Sequence, residues 1–185
     1  MSFSLVWFAV QGIGKDAFLE RAQFEDTGEV DEYFEHDHSG GDLPDGWYVI
    51  LSSEMGLLEP AKLAKWSEGA RVVAVAIHEG SMNSLATEWR DGRQVWSVSH
   101  DGSEGGDRLD VEGELPEVFE ELKQEAAAAQ AESQMESGAR GGGVNFVFDI
   151  PLDLAAEITG FRHDEMGFDD DIEPFTVLER LFAAG

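Results

Sequence analysis

The sequence predicts a single α+β domain over residues 1–185, built on a mixed, mostly antiparallel sheet of about six or seven strands with helices packed mainly on one face. Three observations carry this expectation. The apolar runs Leu5 to Val10 and Val72 to Ile77 have strand length and do not alternate, which asks for cover on both faces. Asp91-Gly92 separates two strand-like segments and is the two-residue turn that accepts positive φ twice. Helical patterns interleave irregularly with the strands, and the hairpin argues against the nearest alternative, a doubly wound parallel sheet. A chain of 185 residues is one domain by default and can bury roughly 70% of its unfolded surface. Its 42% hydrophobic and 10% aromatic content exceeds that of a disordered acidic chain, so a packed core is expected.

In chain order, Phe3 to Val10 reads as the first strand, followed past Gly12 and Gly14 by a short helix over Asp16 to Phe24 with Phe18, Leu19 and Ala22 on one face. The acidic segment 25–45 contains Gly40, Gly41, Pro44 and Gly46, has loop chemistry, and leads into a strand over Trp47 to Leu51. Glu59-Pro60 opens a brief helix on which Leu63 and Trp66 share a face, and Gly69 suits the left-handed position after it, ahead of the strand Arg71 to Ile77. In the hairpin Ser81–Arg90 and Arg93–His100, pairing Arg90 with Arg93 sets Trp89 opposite Gln94 and Thr87 opposite Trp96. Trp89 and Trp96 then lie diagonally on one face. Large aromatics at strand period most often pack inward, and a ligand-stacking platform is the functional alternative. Leu109 to Val111 adds a short strand. Pro116 opens the longest helix, 116–136, with Val118, Phe119, Leu122, Ala126 and Ala129 on its inner side. After the connector Ser137 to Gly143 come a strand over Val144 to Phe148, a helix from Pro151 to Gly160, and a last helix opened by Pro174 and carrying Leu178, Leu181 and Phe182.

Charge narrows the function classes. There are 39 Asp and Glu against 12 Lys and Arg, a net charge of -27. Such a chain repels phosphate backbones and anionic lipid, so nucleic-acid and membrane partners are disfavoured. The absence of Cys excludes a disulfide framework, a thiolate metal site and a cysteine nucleophile, and fits a reducing compartment. The apolar runs are far shorter than the roughly 20 residues of a bilayer span, and MSFSLVWFAVQG lacks the basic start and cleavage signal of a secretory leader. A soluble cytoplasmic protein is expected. The acids are clustered: no base falls between Arg21 and Lys62, while nine acids fall from Glu25 to Asp45, and Asp164 to Glu173 holds six more. Charge runs are commonly solvated loops; gathered on one surface, they steer a basic partner. The candidate partner-binding residues are Glu29, Asp31, Glu32, Glu35, Asp37, Asp42, Asp164, Asp169, Asp170 and Asp171.

The chemical motifs are incomplete. His36 and His38 in EHDHSGGD would point the same way on a strand and, with Asp42, could fill three positions around zinc or iron as in a metal-dependent hydrolase or oxygenase. The run stops short of the H-x-H-x-D-H pattern of metallo-hydrolases, because no histidine adjoins Asp42. Asp101 to Glu112 imitates part of a calcium loop, but Gly105 occupies a ligand position. Gly-Ile-Gly-Lys at 12–15 lacks the length and hydroxyl of a phosphate loop. Arg162 and His163 follow a helix end, where they either cap the helix or grip an anionic group. The reading that survives is a non-enzymatic acidic protein without cofactor that neutralises a basic protein partner, as an immunity or inhibitor protein does. The His-x-His metalloenzyme and a DNA mimic that occupies a DNA-binding protein's groove stand behind it.

Overall fold

The computed structural model describes residues 4–104, 108–137, 145–165 and 173–181. Nine strands form one sheet: β1 (Ser4–Gln11), β2 (Phe24–Val30), β3 (His38–Asp42), β4 (Tyr48–Ser52), β5 (Arg71–His78), β6 (Asn83–Arg90), β7 (Arg93–His100), β8 (Leu109–Gly113) and β9 (Thr176–Arg180). The strand order is β2-β9-β3-β4-β1-β5-β6-β7-β8, and every neighbouring pair is antiparallel. The expected α+β class holds, with more strands than the six or seven anticipated and no parallel pair. Four helices accompany the sheet: α1 (Lys15–Ala22), α2 (Pro60–Trp66), α3 (Val118–Ser137) and α4 (Phe146–Thr159). No helix among the described residues is long and apolar enough to cross a membrane.

The helices divide between the two faces instead of gathering on one. On the first face, Phe18 and Leu19 of α1 and Leu63 and Trp66 of α2 cover Phe8, Val10, Val72 and Ala74, and Trp66 stacks on Phe8 at 4.6 Å between centroids. On the second, Phe119 of α3 and Val147, Phe148, Ile150 and Leu154 of α4 cover Trp7, Val73, Val75, Trp96 and Val98. Residues Val6 to Val10 and Val72 to Val75 are accordingly buried without alternation, as their composition requires.

Two glycines let the outer half of the sheet assemble. A Cβ on Gly40 would stand 2.3 Å from Tyr48 Oη, and one on Gly41 would stand 2.3 Å from Phe175 Cδ1, so β3 takes no side chain there while β4 and the approach to β9 close over it. Segment 25–45, expected as loop, therefore holds two strands, β2 and β3, joined by residues 31–37. Gly40 and Gly41 mark close packing, while Gly46, at positive φ in open space, keeps the role of a turn glycine. β9 replaces the expected final helix: Leu178 enters the core under α1 and α2 and Val177 is buried beside it, and the strand slots between β2 and β3, a pairing about 140 residues distant that no local pattern announces.

The hairpin forms with its turn as read, Asp91 and Gly92 both at positive φ. Its register shifts past the first pairs. Trp89 stays opposite Gln94, but Glu88 stands opposite Trp96 and Ala86 opposite Val98, so Val95 is an extra residue in β7. This bulge sends the two indoles to opposite faces, Trp89 against α2's core and Trp96 into the α3–α4 core. The expected strand Val144 to Phe148 is also corrected. Helix α4 starts at Phe146, where the Asn145 side chain accepts a hydrogen bond from the Val147 N–H at 3.0 Å, and Pro151 lies inside the helix instead of opening it. Nearly every side of α4 is apolar because it wedges between sheet and α3, which hides its helical period.

Placing a methyl group at Gly41 forces Phe175 or β3 to move. Gly41→Ala is expected to lower stability by about 1–3 kcal/mol, read as a fall in the urea midpoint with an unchanged slope.

Candidate functional site

The segment joining β2 to β3, residues 31–37, is where acid density and an ordered surface coincide. It is held to the body of the protein at its start by the Asp31 N–H, which donates to the Phe175 carbonyl at 2.8 Å, and at its end by the Ser53 N–H, which donates to the Asp37 carbonyl at 3.0 Å. Between them Phe34 adopts positive φ, 54°, a conformation that a bulky residue keeps only when packing holds it. Its ring stands edge-on to Phe175 at 5.3 Å. Phe175 stacks on Phe161 at 5.9 Å, and Phe161 meets Trp7 at 5.0 Å. An unbroken aromatic chain thus runs from the centre of the sheet to the underside of the loop.

Asp31 fixes the loop's shape and is not available to a partner. Its side chain is 3% exposed. Its carboxylate accepts hydrogen bonds from the Ser39 hydroxyl and from the backbone N–H groups of Glu35 at 3.0 Å and His36 at 3.4 Å, and it faces the His36 ring at 3.4 Å. Burial alone would raise its pKa, but these donors outweigh burial and hold it below the ordinary carboxylate value.

Outside this staple the side chains point to water. Glu29, Glu32, Glu35 and Asp37 are exposed, and among them Tyr33 is 75% and Val30 55% exposed. One segment, its backbone held at both ends, thus exposes an aromatic ring and a branched aliphatic together with four carboxylates. Tyr33 and Val30 were not singled out by sequence. The available signal was two apolar residues in an acid run with no partner at strand or helix period.

The remaining expected residues are dispersed. Asp42 is exposed at the far end of β3, opposite Tyr48. His38 sits at the near end opposite Ser52, so about 13 Å of strand separates His38 from Asp42. His38 Nδ1 lies 2.8 Å from Ser52 Oγ and its ring meets Phe24 edge-on, while His36 turns to Asp31. The His36, His38, Asp42 metal set is therefore not assembled, and among the described residues no group of three or more His, Asp or Glu could hold a metal ion. Burial lowers the His38 pKa against the pull of Glu54 and Asp37, which favours the neutral ring.

Arg162 does not reach for a ligand. Its guanidinium is 15% exposed and is surrounded by its own carboxylates: Asp153, Asp149 at 2.9 Å, Asp164 at 2.7 Å and Glu165 at 4.0 Å. Burial disfavours the charge, but these acids more than offset it and push the arginine pKa up. Asp164 pairs with Arg162 while its side chain stays 42% exposed. The side chain of His163 is 4% exposed, and Trp89 and Trp96 are core on opposite faces, so neither a gripping pair nor a stacking platform is formed. Asp169, Asp170 and Asp171 lie outside the described residues. No protein-family model, curated protein or solved structure matches the chain.

Removing the staple tests this geometry. Asp31→Ala leaves buried donors without an acceptor and is expected to cost about 1–3 kcal/mol, with faster amide exchange at Glu35 and His36 than in β1 or β5. The sign with pH follows from the lowered folded value: the carboxylate's contribution is complete above the ordinary pKa of 3.8 and is lost as pH falls through the lower folded value. Exchange at the same two amides should rise on acidification below about pH 4 before the central strands open.

Proposed function

We propose that this protein is a non-enzymatic acidic binding protein that neutralises a basic protein partner, in the manner of an immunity or inhibitor protein covering a positively charged cleft. The observation that carries the reading is the 29–37 segment: Tyr33 and Val30 exposed among the exposed acids Glu29, Glu32, Glu35 and Asp37, on a backbone held by buried Asp31 and half-buried Phe34. These carboxylates attract a basic partner over a long range and accelerate encounter, while the exposed tyrosine supplies contact area that excludes water. The net charge of -27 acts in the same direction. A protein partner is favoured over DNA mimicry by the exposed Tyr33 and Val30, because a surface imitating a phosphate backbone would need regularly spaced acids with no aromatic standing among them.

The test is affinity for a partner captured at low salt. Its Kd should rise steeply as sodium chloride goes from about 0.1 to 0.5 M, where the screening length shrinks from roughly 10 Å to about 4 Å. Tyr33→Ala should weaken binding by about tenfold or more, and Glu32→Lys with Glu35→Lys should slow association far more than it speeds dissociation. A partner held equally well across that salt range, or one indifferent to Tyr33, sinks the reading.

A further inference from the structure

At the Gln11 end of β1 the sheet carries a basic row. In register, Gln11 of β1, Arg71 of β5, Arg90 of β6 and Arg93 of β7 stand side by side, a row of three arginines in a chain that has only 12 basic residues. Like charges directly opposite one another on neighbouring strands repel, so the row needs an acid. The acid is Glu88, whose side chain is 2% exposed: Oε1 accepts from Arg71 Nε at 2.6 Å and lies 2.5 Å from Arg71 Nη2, and Oε2 forms an ion pair with Arg90, 3.2 Å from its Nε. Both oxygens are thus engaged, whereas a guanidinium has five N–H donors. Among the described residues no further carboxylate pairs with either arginine, so the Nη groups of Arg90 and Nη1 of Arg71 keep donors to spend. Arg71 is also held over the Trp47 ring at 5.2 Å, which orients its plane.

These donors border a cleft of about 390 Å³ whose lining includes Gln11, Gly12, Gly69, Arg71, Arg90 and Asp91. The two glycines bring backbone and no side chain to the wall. The acid on the rim is already engaged, since Asp91 Oδ1 accepts from the Gly69 N–H at 3.1 Å. Arg90 is 52% and Arg71 29% exposed, so both forks reach solvent from a fixed base. Guanidinium forks oriented by a buried carboxylate match a planar or tetrahedral oxyanion through paired N–H donors.

We propose that this cleft is a binding site for a small oxyanion, a carboxylate or phosphate group, gripped by Arg71 and Arg90. The site lies at the Gln11 end of β1, β5 and β6, the opposite end of the sheet from His38 and Ser52, where the 31–37 loop joins β3.

Titrations of the full chain with inorganic phosphate and with citrate, at constant ionic strength in sodium chloride and followed by amide chemical shifts, test it. Saturable shifts at Gly12 and Gly69 with a Kd of about 1 mM or below are expected from at least one anion, and which one saturates identifies a phosphate or carboxylate group. Arg90→Gln, a change at a half-exposed side chain, should raise that Kd about tenfold or more, while Arg93→Gln, in the same row but outside the cleft lining, should change it less than about twofold. Absence of saturation with both anions, an unchanged Kd in Arg90→Gln, or equal losses in both variants overturns the proposal.

Discussion

Strands β1 and β5 are sealed on both faces, and the remainder of the molecule is arranged to keep them so. Val6 to Val10 and Val72 to Val75 have no solvent side, which requires helices above and below the sheet and forbids the one-sided packing usual for antiparallel folds. Each large core side chain contributes a few kcal/mol, so the two clusters together supply the cohesion that the net charge of -27 works against. Outward from this centre the strands become progressively more polar. The two edges, β2 with Glu25, Asp26 and Glu29 and β8 with Asp110 and Glu112, carry carboxylates that discourage pairing with a second chain.

That core also positions the acid surface. Tyr33 and the carboxylates of its segment would be a mobile tract if the backbone beneath them were free. The aromatic succession Trp7, Phe161, Phe175 and Phe34 and the buried Asp31 tie the loop to the most rigid part of the sheet. A preorganised charged surface loses less conformational entropy on binding than a flexible acidic tail of the same charge. The basic row Arg71, Arg90 and Arg93 stands at the Gln11 end of the strands, away from the end at which the loop joins β3.

What could be read from the sequence was local. The strands β1 and β5, helix α2 with Leu63 and Trp66, the Asp91-Gly92 turn and the long α3 follow from short-range periodicity and turn chemistry, and they stand where expected. What escaped depends on contacts made elsewhere. Gly40 and Gly41 resemble loop glycines until Tyr48 and Phe175 are seen filling the space of their missing side chains. Val95 is one ordinary residue, yet as a bulge it moves Trp96 to the opposite face from Trp89. In α4 all-round burial erased the helical stripe, and in β9 two adjacent apolar residues are both buried, which leaves no alternation to read. The acid run itself was visible, but its division into one buried staple and several exposed acids was not, because that depends on which side of the backbone meets Ser39 and Phe175.

The placement of β9 between β2 and β3 has a consequence for biosynthesis. Residues 175–180 are translated long after the two strands they separate, and until they emerge from the ribosome β2 and β3 have no shared neighbour and the ring under Phe34 is missing. The nascent chain can therefore build its central strands early, but the 31–37 loop can take its shape only once β9 has been made. A premature stop before residue 175 would leave much of the core in place and remove the Phe175 ring and carbonyl that shape the 31–37 loop.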